Sequence, residues 1–461
     1  MAKHYKSPGV YVEEVPFQRP PITAVATSEA LFLGYTSIGS LSGNADLTRV
    51  VSVSDFEHHF GAALPYRIKR IAFDSTSQLQ DLQMTLVSQL YEQVRMFFAN
   101  GGQACYVGSI GNFEAACTDA SVETLQKYRD LLEQSATIAD ISLISIADAV
   151  YLPRGKREQL QETLLRHCAE HQRFGVLDLP KGNSTNWSAK LNKFRSGLAA
   201  EHRELGAAYY PWLRSHYTKD LDAATLQALL QLPFSDPEIL VNGEAITTAQ
   251  LVADASKMQQ IQHKIKAKRI TLAPSGAALG IYARVDQQRG VWKAPANVTV
   301  LSIQRPAIPL NSQAQHSLVN DPQGMSINPM VSFPGRGHRV WGAKTLASNH
   351  SEKRYLNVVR TLQMIKRSID QALTAYAFEP NTAATWLAVE GSVHNFFDHL
   401  WRQGALQGSK TEEAFFVKIG LGETMSQQDI DNHRMILQYG LAFVRPAEFH
   451  IQQHLIQQHT S

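Results

Sequence analysis

The protein has 461 residues, more than one core organises, so two or three domains are expected. Hydrophobic residues make up 44% and charged residues 18%, a balance that excludes a disordered chain. The formal net charge of +3 is small for this length and argues against the concentrated basic surface of a nucleic-acid binder.

Residues 1–20 read as an arm. Pro8-Gly9 opens it, and Pro16, Pro20 and Pro21 close it. Between them Val10, Tyr11, Val12, Glu13, Glu14 and Val15 form a strand-prone run with no local partner, at a place where strands fray unless paired. "ITAVATSEALFLGYT" reads as a strand ending at Gly34, and residues 36–60 are polar and turn-rich. Ser77–Asn100 reads as a helix, with Leu79, Leu82, Leu86, Leu90, Val94 and Phe97 at spacings of three and four, stopped by Asn100-Gly101-Gly102. "ACYVGSI" reads as a buried strand, Leu125–Gln134 as a helix, "DISLISIADA" as a strand, Lys156–Gln172 as a helix and "FGVLDLP" as a strand. Strands alternating with helices predict βαβ units and a mostly parallel sheet. A polar helix is expected over Thr247–Lys268, a linker over 304–330, and a compact α+β unit over 331–461.

Two long helices close the chain. In Glu352–Tyr376, Tyr355, Val358, Leu362, Ile365, Ile369, Ala372 and Tyr376 form a core seam; Lys353, Arg360 and Arg367, seven apart, share another face. In Thr382–Gln403, Asn381 is the expected N-cap and Gly404 the expected C′ residue. Trp386, Val389, Val393, Phe396 and Leu400 form its apolar stripe, and Glu390, His394, Asp398 and Arg402 line its other side. Each charged face is either solvated or presented to a partner.

Motifs for chemistry are missing. No G-x-S-x-G, H-E-x-x-H or P-loop pattern occurs. "APSGAALG" at 273–280 lacks the spacing of a phosphate cradle and reads as a tight turn. His167 and His171 share a helix face with Cys168 nearby, yet lack the further ligands zinc needs; the same holds for His450, His454 and His459, of which the first two would share a strand face. Cys105, Cys117 and Cys168 make no C-x-x-C pair and no disulfide framework, so they read as small buried residues in a reducing compartment. No apolar signal region or bilayer-length run is present, so synthesis in the cytoplasm is expected, with any action outside the cell following lysis or as part of a larger object. Neither cofactor nor metal is expected.

Taken in order, several segments resemble the contractile tail-sheath proteins of bacteriophages and phage-tail-like injection systems. They are "YKSPGVYVEEV" at 5–15, "YYPWLR" at 209–214, "APSGAALGIYARVDQQRGVWKAPAN" at 273–297 and "INPMVSFPGRGHRVWGAKTLA" at 327–347. "RYLNVVRTLQMIKRSID" at 354–370, "FEPN" at 378–381, "LWRQGALQGSKTEEAFFVKIG" at 400–420 and "VRPAEF" at 444–449 complete the series. Lys366 stands where the family often has glutamate, and Asn432-His433 where it tends to have glycine; residues 215–270 look less typical.

The resemblance implies an α/β plus α+β chain. Residues 21–303 would be an outer region with a subtilisin-like α/β core lacking a catalytic triad, and 331–445 an inner C-terminal sheath domain. Residues 1–20 and 446–461 would be arms exchanged with neighbouring subunits by strand addition. In the C-terminal arm the exchanged residues would be Glu448, Phe449, His450, Ile451 and Gln452, with hinges at Pro16, Pro20, Pro21 and Pro446. Lys353, Arg360 and Arg367, or Glu390, His394, Asp398 and Arg402, would face an inner tube. The implied protein is no enzyme but a structural subunit of stacked hexameric rings that contract to drive the tube through an envelope. Its partners would be itself, the tube, baseplate and terminator or cap proteins, and sheath paralogues, with no nucleic acid and no membrane insertion. The alternatives are a non-contractile structural or adhesive particle protein, or a serine hydrolase.

Overall fold

The computed structural model describes residues 21–38, 47–112, 122–232, 237–321 and 324–458. They divide into two units, one of residues 25–367 and one that includes residues 368–461.

Nine strands of the first unit form one sheet: β1 (Ala30–Gly34), β2 (Leu47–Val50), β3 (Cys105–Ser109), β4 (Leu143–Ile146), β5 (Phe174–Leu177), β6 (Gly206–Tyr210), β7 (Val298–Thr299), β8 (Asn328–Phe333) and β9 (Gly337–Val340). Their order is β7-β9-β8-β6-β5-β4-β1-β3-β2. The run β3-β1-β4-β5-β6-β8 is parallel, as the strand–helix alternation predicts. β2, β9 and β7 close the edges antiparallel. Central strands read as unbroken apolar runs because both faces are covered: Ala30 and Phe32 enter one core cluster, Leu31 and Leu33 the other.

Four expectations change. Leu79–Leu86 is a strand, paired antiparallel with Tyr66–Phe73, and the helix is confined to Leu90–Ala99. Two register shifts in that strand pair accommodate leucines whose spacing mimics a helix. The helix does stop as expected: the Asn100 amide donates to Met96 O at 2.9 Å, and Gly101 takes φ 114°. The polar stretch Thr247–Lys268 is two helices, Thr248–Ala253 and Ala255–Ala267, because Asp254 caps the second by accepting from Lys257 N at 3.0 Å.

"APSGAALG" is not a tight turn but opens the helix Ser275–Arg289. Its glycines permit close packing on helix Leu90–Ala99. A Cβ on Gly276 would stand 2.3 Å from Gln93 O, and one on Gly280 2.4 Å from Phe97 O. Residues 304–330 are not a linker. They carry helix Ser312–Val319, and Ile308, Leu310, Leu318, Met325 and Ile327 are buried in the core. Arg195 holds this segment by a buried pair with Asp321 at 3.1 Å and by bonds to the carbonyls of Ser317, Leu318 and Met325. Its prolines and polar residues suggested a linker, but they alternate with apolar anchors. The division between units falls after Arg367 instead.

Two buried carboxylates lock this unit. After β4, Asp148 accepts from Tyr35 N at 2.8 Å and Gln89 N at 2.7 Å. After β5, Asp178 accepts from Ser275 N at 3.0 Å and Ser275 Oγ at 2.6 Å, satisfying the start of that helix. Burial pushes Asp178 up to about 7 and Asp148 up to about 6, with the bonds they accept opposing it. The folded chain therefore holds protons that the unfolded chain releases, and stability falls as pH rises from about 4 through 7. Relative to Asp178→Asn, the wild type should lose on the order of 1–4 kcal/mol between pH 4 and pH 8 in urea melts. A difference that does not change with pH would refute this assignment.

In the second unit, helix Ala383–Arg402 buries Val389, Val393, Phe396, Phe397 and Leu400. Its N-cap is Thr382 rather than Asn381. Asn381 accepts from Trp386 Nε1 at 2.6 Å and donates to Arg434 O at 3.1 Å. Gly404 ends the helix at φ 80°, as expected. Phe397, absent from the predicted stripe, stacks its edge on Phe415 at 5.5 Å and lies 5.1 Å from Tyr439.

Candidate functional site

The second unit carries a three-stranded antiparallel sheet: β10 (Phe415–Lys418), β11 (Arg434–Leu441) and β12 (His450–Gln457), in that order. β12 is thus the C-terminal segment expected to act as an arm. Within this chain it pairs with β11 over eight residues, from Arg434↔Gln457 to Leu441↔His450.

Strand alternation sorts its side chains. His450, Gln452, His454 and Ile456 turn inward; Ile451, Gln453, Leu455 and Gln457 are exposed. His450 and His454 do share a face. His454 sits between two groups: Nδ1 is 2.7 Å from Asp370 Oδ1 and Nε2 is 2.8 Å from Tyr439 OH. The carboxylate accepts from Nδ1–H, which leaves Nε2 to accept from the phenol. This pins the register of β12, since a one-residue slip would turn His454 outward. His459 lies outside the described residues.

The β11–β12 connection is exposed from Val444 to Glu448 and contains Pro446. Ala447 takes φ 60° and donates its N–H to Glu413 O at 2.9 Å, and Arg445 pairs with Glu448 at 3.1 Å. Phe449 packs edge-on against Phe416 at 5.2 Å. Before β11, His433 adopts φ 55°, the left-handed conformation that glycine takes most readily.

Both outer edges of this sheet are unpaired among the described residues. β12 is long for an edge strand, and it exposes Ile451 at 59% and Leu455 at 57%. Such an edge is a template for another strand unless something covers it. Val10–Val15, Pro16 and Pro20 lie outside the described residues; Pro21 is exposed.

The two charged faces fare differently. Lys353 is exposed, but on a 3₁₀ turn, Glu352–Arg354, ahead of the helix Leu356–Leu373, where it pairs with Glu204 at 3.4 Å. Arg360 is buried and corrects the expected stripe: its guanidinium binds Asp286 at 3.0 and 2.5 Å and Thr27 O at 2.9 Å. Arg367 is partly buried and donates to Ala139 O. Spacing of seven put these three on one helical face; the early turn and the packing of Arg360 break it up. On helix Ala383–Arg402, His394 and Arg402 are exposed, and Glu390 and Asp398 half-buried, with Arg402 and Asp398 paired at 2.8 Å.

His167 and Ser275 have structural uses. His167 is buried beside Ser135 at 3.2 Å and Arg173 at 3.0 Å, and burial, then Arg173 and His171, push it down to about 3. Cys105 and Cys168 are buried thiols. Ser275 is fully buried, and its hydroxyl is spent on Asp178, which removes it as a nucleophile.

Residues 348–453 match the family described as the phage tail sheath C-terminal domain. A tail sheath protein of Vibrio phage KVP40 is 24% identical over 177 residues, 38% of this chain. The aligned stretch spans 26% of that protein's length. Among solved structures, a chain of the sheath complex of the extracellular contractile injection system PVC, in its contracted state, is 26% identical. The match covers 98% of both chains with a TM-score of 0.62. A chain of the contracted helical sheath of the anti-feeding prophage is 26% identical, covering 98% of this chain and 99% of that one, with a TM-score of 0.64.

Proposed function

We propose, from the premise that this chain belongs with the contractile tail-sheath proteins, that it is the polymerising subunit of a contractile sheath. The observation that carries the reading is a likeness to contractile-sheath chains over 98% of the sequence. Subunits stack as hexameric rings around an inner tube, and the rings shorten and widen to drive the tube through a target envelope. The parallel sheet of residues 25–367 is the subtilisin-like outer region, and residues 368–461 form the inner part.

Arms link the rings. Val10–Val15 of one copy adds to an open edge of the β10–β12 sheet of another, and Glu448–Gln452 is the C-terminal element of the same exchange. Repetition of such a heterologous contact builds a helical array rather than a closed dimer. Pro16, Pro20, Pro21 and Pro446 flank the strands and serve as hinges, so that arms stay paired while bodies rotate. The tube meets either the face carrying Glu390, His394, Asp398 and Arg402 or the cations Lys353 and Arg367. Baseplate and terminator proteins close the two ends, and the particle is a phage tail or an extracellular injection system.

Electron microscopy of the chain produced together with its tube protein tests this. Striated tubes enclosing a central channel are expected. Only discrete particles, at concentrations where the tube protein itself assembles, would sink the proposal.

A further inference from the structure

The first unit holds a cavity of about 830 Å³ that the sheath reading does not use. It opens beyond the carboxyl ends of β4, β5 and β6: its walls include Tyr151 and Arg154 after β4, Lys181 after β5 and Trp212 after β6. Parallel α/β sheets bind their ligands at that end. Strand Tyr66–Phe73 and the segment Lys268–Thr271 supply the facing wall.

The charge of this cavity is one-sided. Nine of its lining residues are Lys or Arg, and none is Asp or Glu. The remaining 35 Lys and Arg of the chain are outnumbered by 41 Asp and Glu, so the net positive charge of the protein is concentrated here. The neighbouring carboxylate, Glu158, is taken by Arg154 at 2.8 Å.

Three further facts point to an anion in this cavity, whose cations Arg154, Lys181 and Lys268 are exposed to solvent. Helix Arg154–Glu170 starts at the cavity with no side-chain cap and no acid in its first turn. Its positive end therefore adds to Arg154 and Arg157 instead of offsetting them. Arg157 Nε is buried without a hydrogen-bond partner. The lysines also crowd one another. Lys181 is pushed down by the surrounding protein and then by Lys190, and Lys268 by the surrounding protein and then by Lys181. Neither Lys181 nor Lys268 has a carboxylate partner among the described residues; each stands over an aromatic ring, Trp212 at 5.7 Å and Tyr66 at 5.5 Å. Like charges held together in a concave site are costly unless a multivalent anion neutralises them.

We propose that this cavity binds a polyphosphate-type anion, a chain of three or more phosphoryl groups, through Arg154, Arg157, Lys181, Lys190 and Lys268. Free inorganic polyphosphate and a nucleoside triphosphate share that chemistry. Tyr151, 40% exposed at the rim, gives a base a surface to stack on. A volume near 830 Å³ admits either ligand. The inference is independent of the sheath reading, because it concerns the soluble chain.

Calorimetry and thermal melts with sodium tripolyphosphate in about 150 mM salt test it, at an ionic strength that screens charges beyond about 8 Å. The wild type should bind one equivalent saturably with Kd below roughly 100 μM, and its Tm should rise with ligand. The double variant Lys181→Glu/Lys268→Glu should weaken binding at least about tenfold while melting, without ligand, no lower than the wild type. Lys264→Glu/Lys410→Glu changes net charge equally at exposed positions outside the cavity, and should bind within about twofold of wild type. Should the first variant fail to fold, Lys181→Gln/Lys268→Gln carries the comparison. ATP binding tighter than tripolyphosphate identifies a nucleotide ligand; equal affinity identifies the phosphate chain. Absence of saturable binding by the wild type, or equal weakening in both double variants, overturns the proposal.

Discussion

A chain lacking residues 1–15 is expected to fold and remain a soluble monomer, and to form no tubes under any condition where the full chain does. Val10–Val15 has the composition of a strand and is followed by Pro16, which ends a ladder. Among the described residues, the C-terminal sheet has unpaired edges on β10 and β12. A six-residue strand added to such an edge makes up to about six main-chain hydrogen bonds, roughly 3–9 kcal/mol in all. That is enough to decide whether one subunit stays attached to the next, and the loss repeats at every contact of the lattice. Circular dichroism and size exclusion establish the folded monomer, and micrographs score tubes. Val12→Pro is the graded version: it removes one ladder donor in mid-strand and should thin or abolish tubes without touching the body of the protein. Tubes formed by the truncated chain would show that the arm is not the link.

Arg360→Ala should strongly destabilise the unit of residues 25–367. The guanidinium is 4% exposed, binds both Asp286 oxygens, donates to Thr27 O, and lies 4.7 Å above the Tyr282 ring. Removing it leaves Asp286 buried with the Thr27 hydroxyl at 2.7 Å as its remaining side-chain partner. Breaking a buried pair from one side costs about 3–5 kcal/mol. Hydrogen exchange should speed up across helix Ser275–Arg289, which carries Asp286, and urea melts should shift accordingly. Removing both charges with Arg360→Met/Asp286→Leu should recover most of the loss, because an apolar pair of similar volume needs no compensation. A single variant as stable as the wild type would mean that the pair is not desolvated.

Arg360 also shows where reading by periodicity stops. Positions 353, 360 and 367 are one heptad apart, and a helical period places them on one face. Whether that face meets water or a carboxylate 74 residues earlier in the chain is a matter of long-range contact. The same limit applies to Leu79, Leu82 and Leu86, whose spacing is helical but whose partner is a strand. It applies to "APSGAALG", where small residues suggested a turn and in fact bring two helices within touching distance. The C-terminal sheet was more legible. "AEFHIQQHLI" looks like a strand, and its alternation, with His450 and His454 inward, is what the pairing with β11 realises. Its cis partner and the tie from His454 to Asp370 could not be read from spacing.

Composition and the order of elements by themselves determined the class of this protein: a large folded α/β chain with strand–helix alternation. These are local properties, fixed by propensity and by the periodicity of apolar residues, and they survive any particular packing. Tertiary structure decided which charges are buried, where one unit ends and the other begins, and how the cations are distributed. A net charge of +3 gives no hint of nine cations around one cavity, because they come from five separate stretches between Arg67 and Arg269. Only folding brings them together, and their mutual repulsion is a property of distance rather than of sequence.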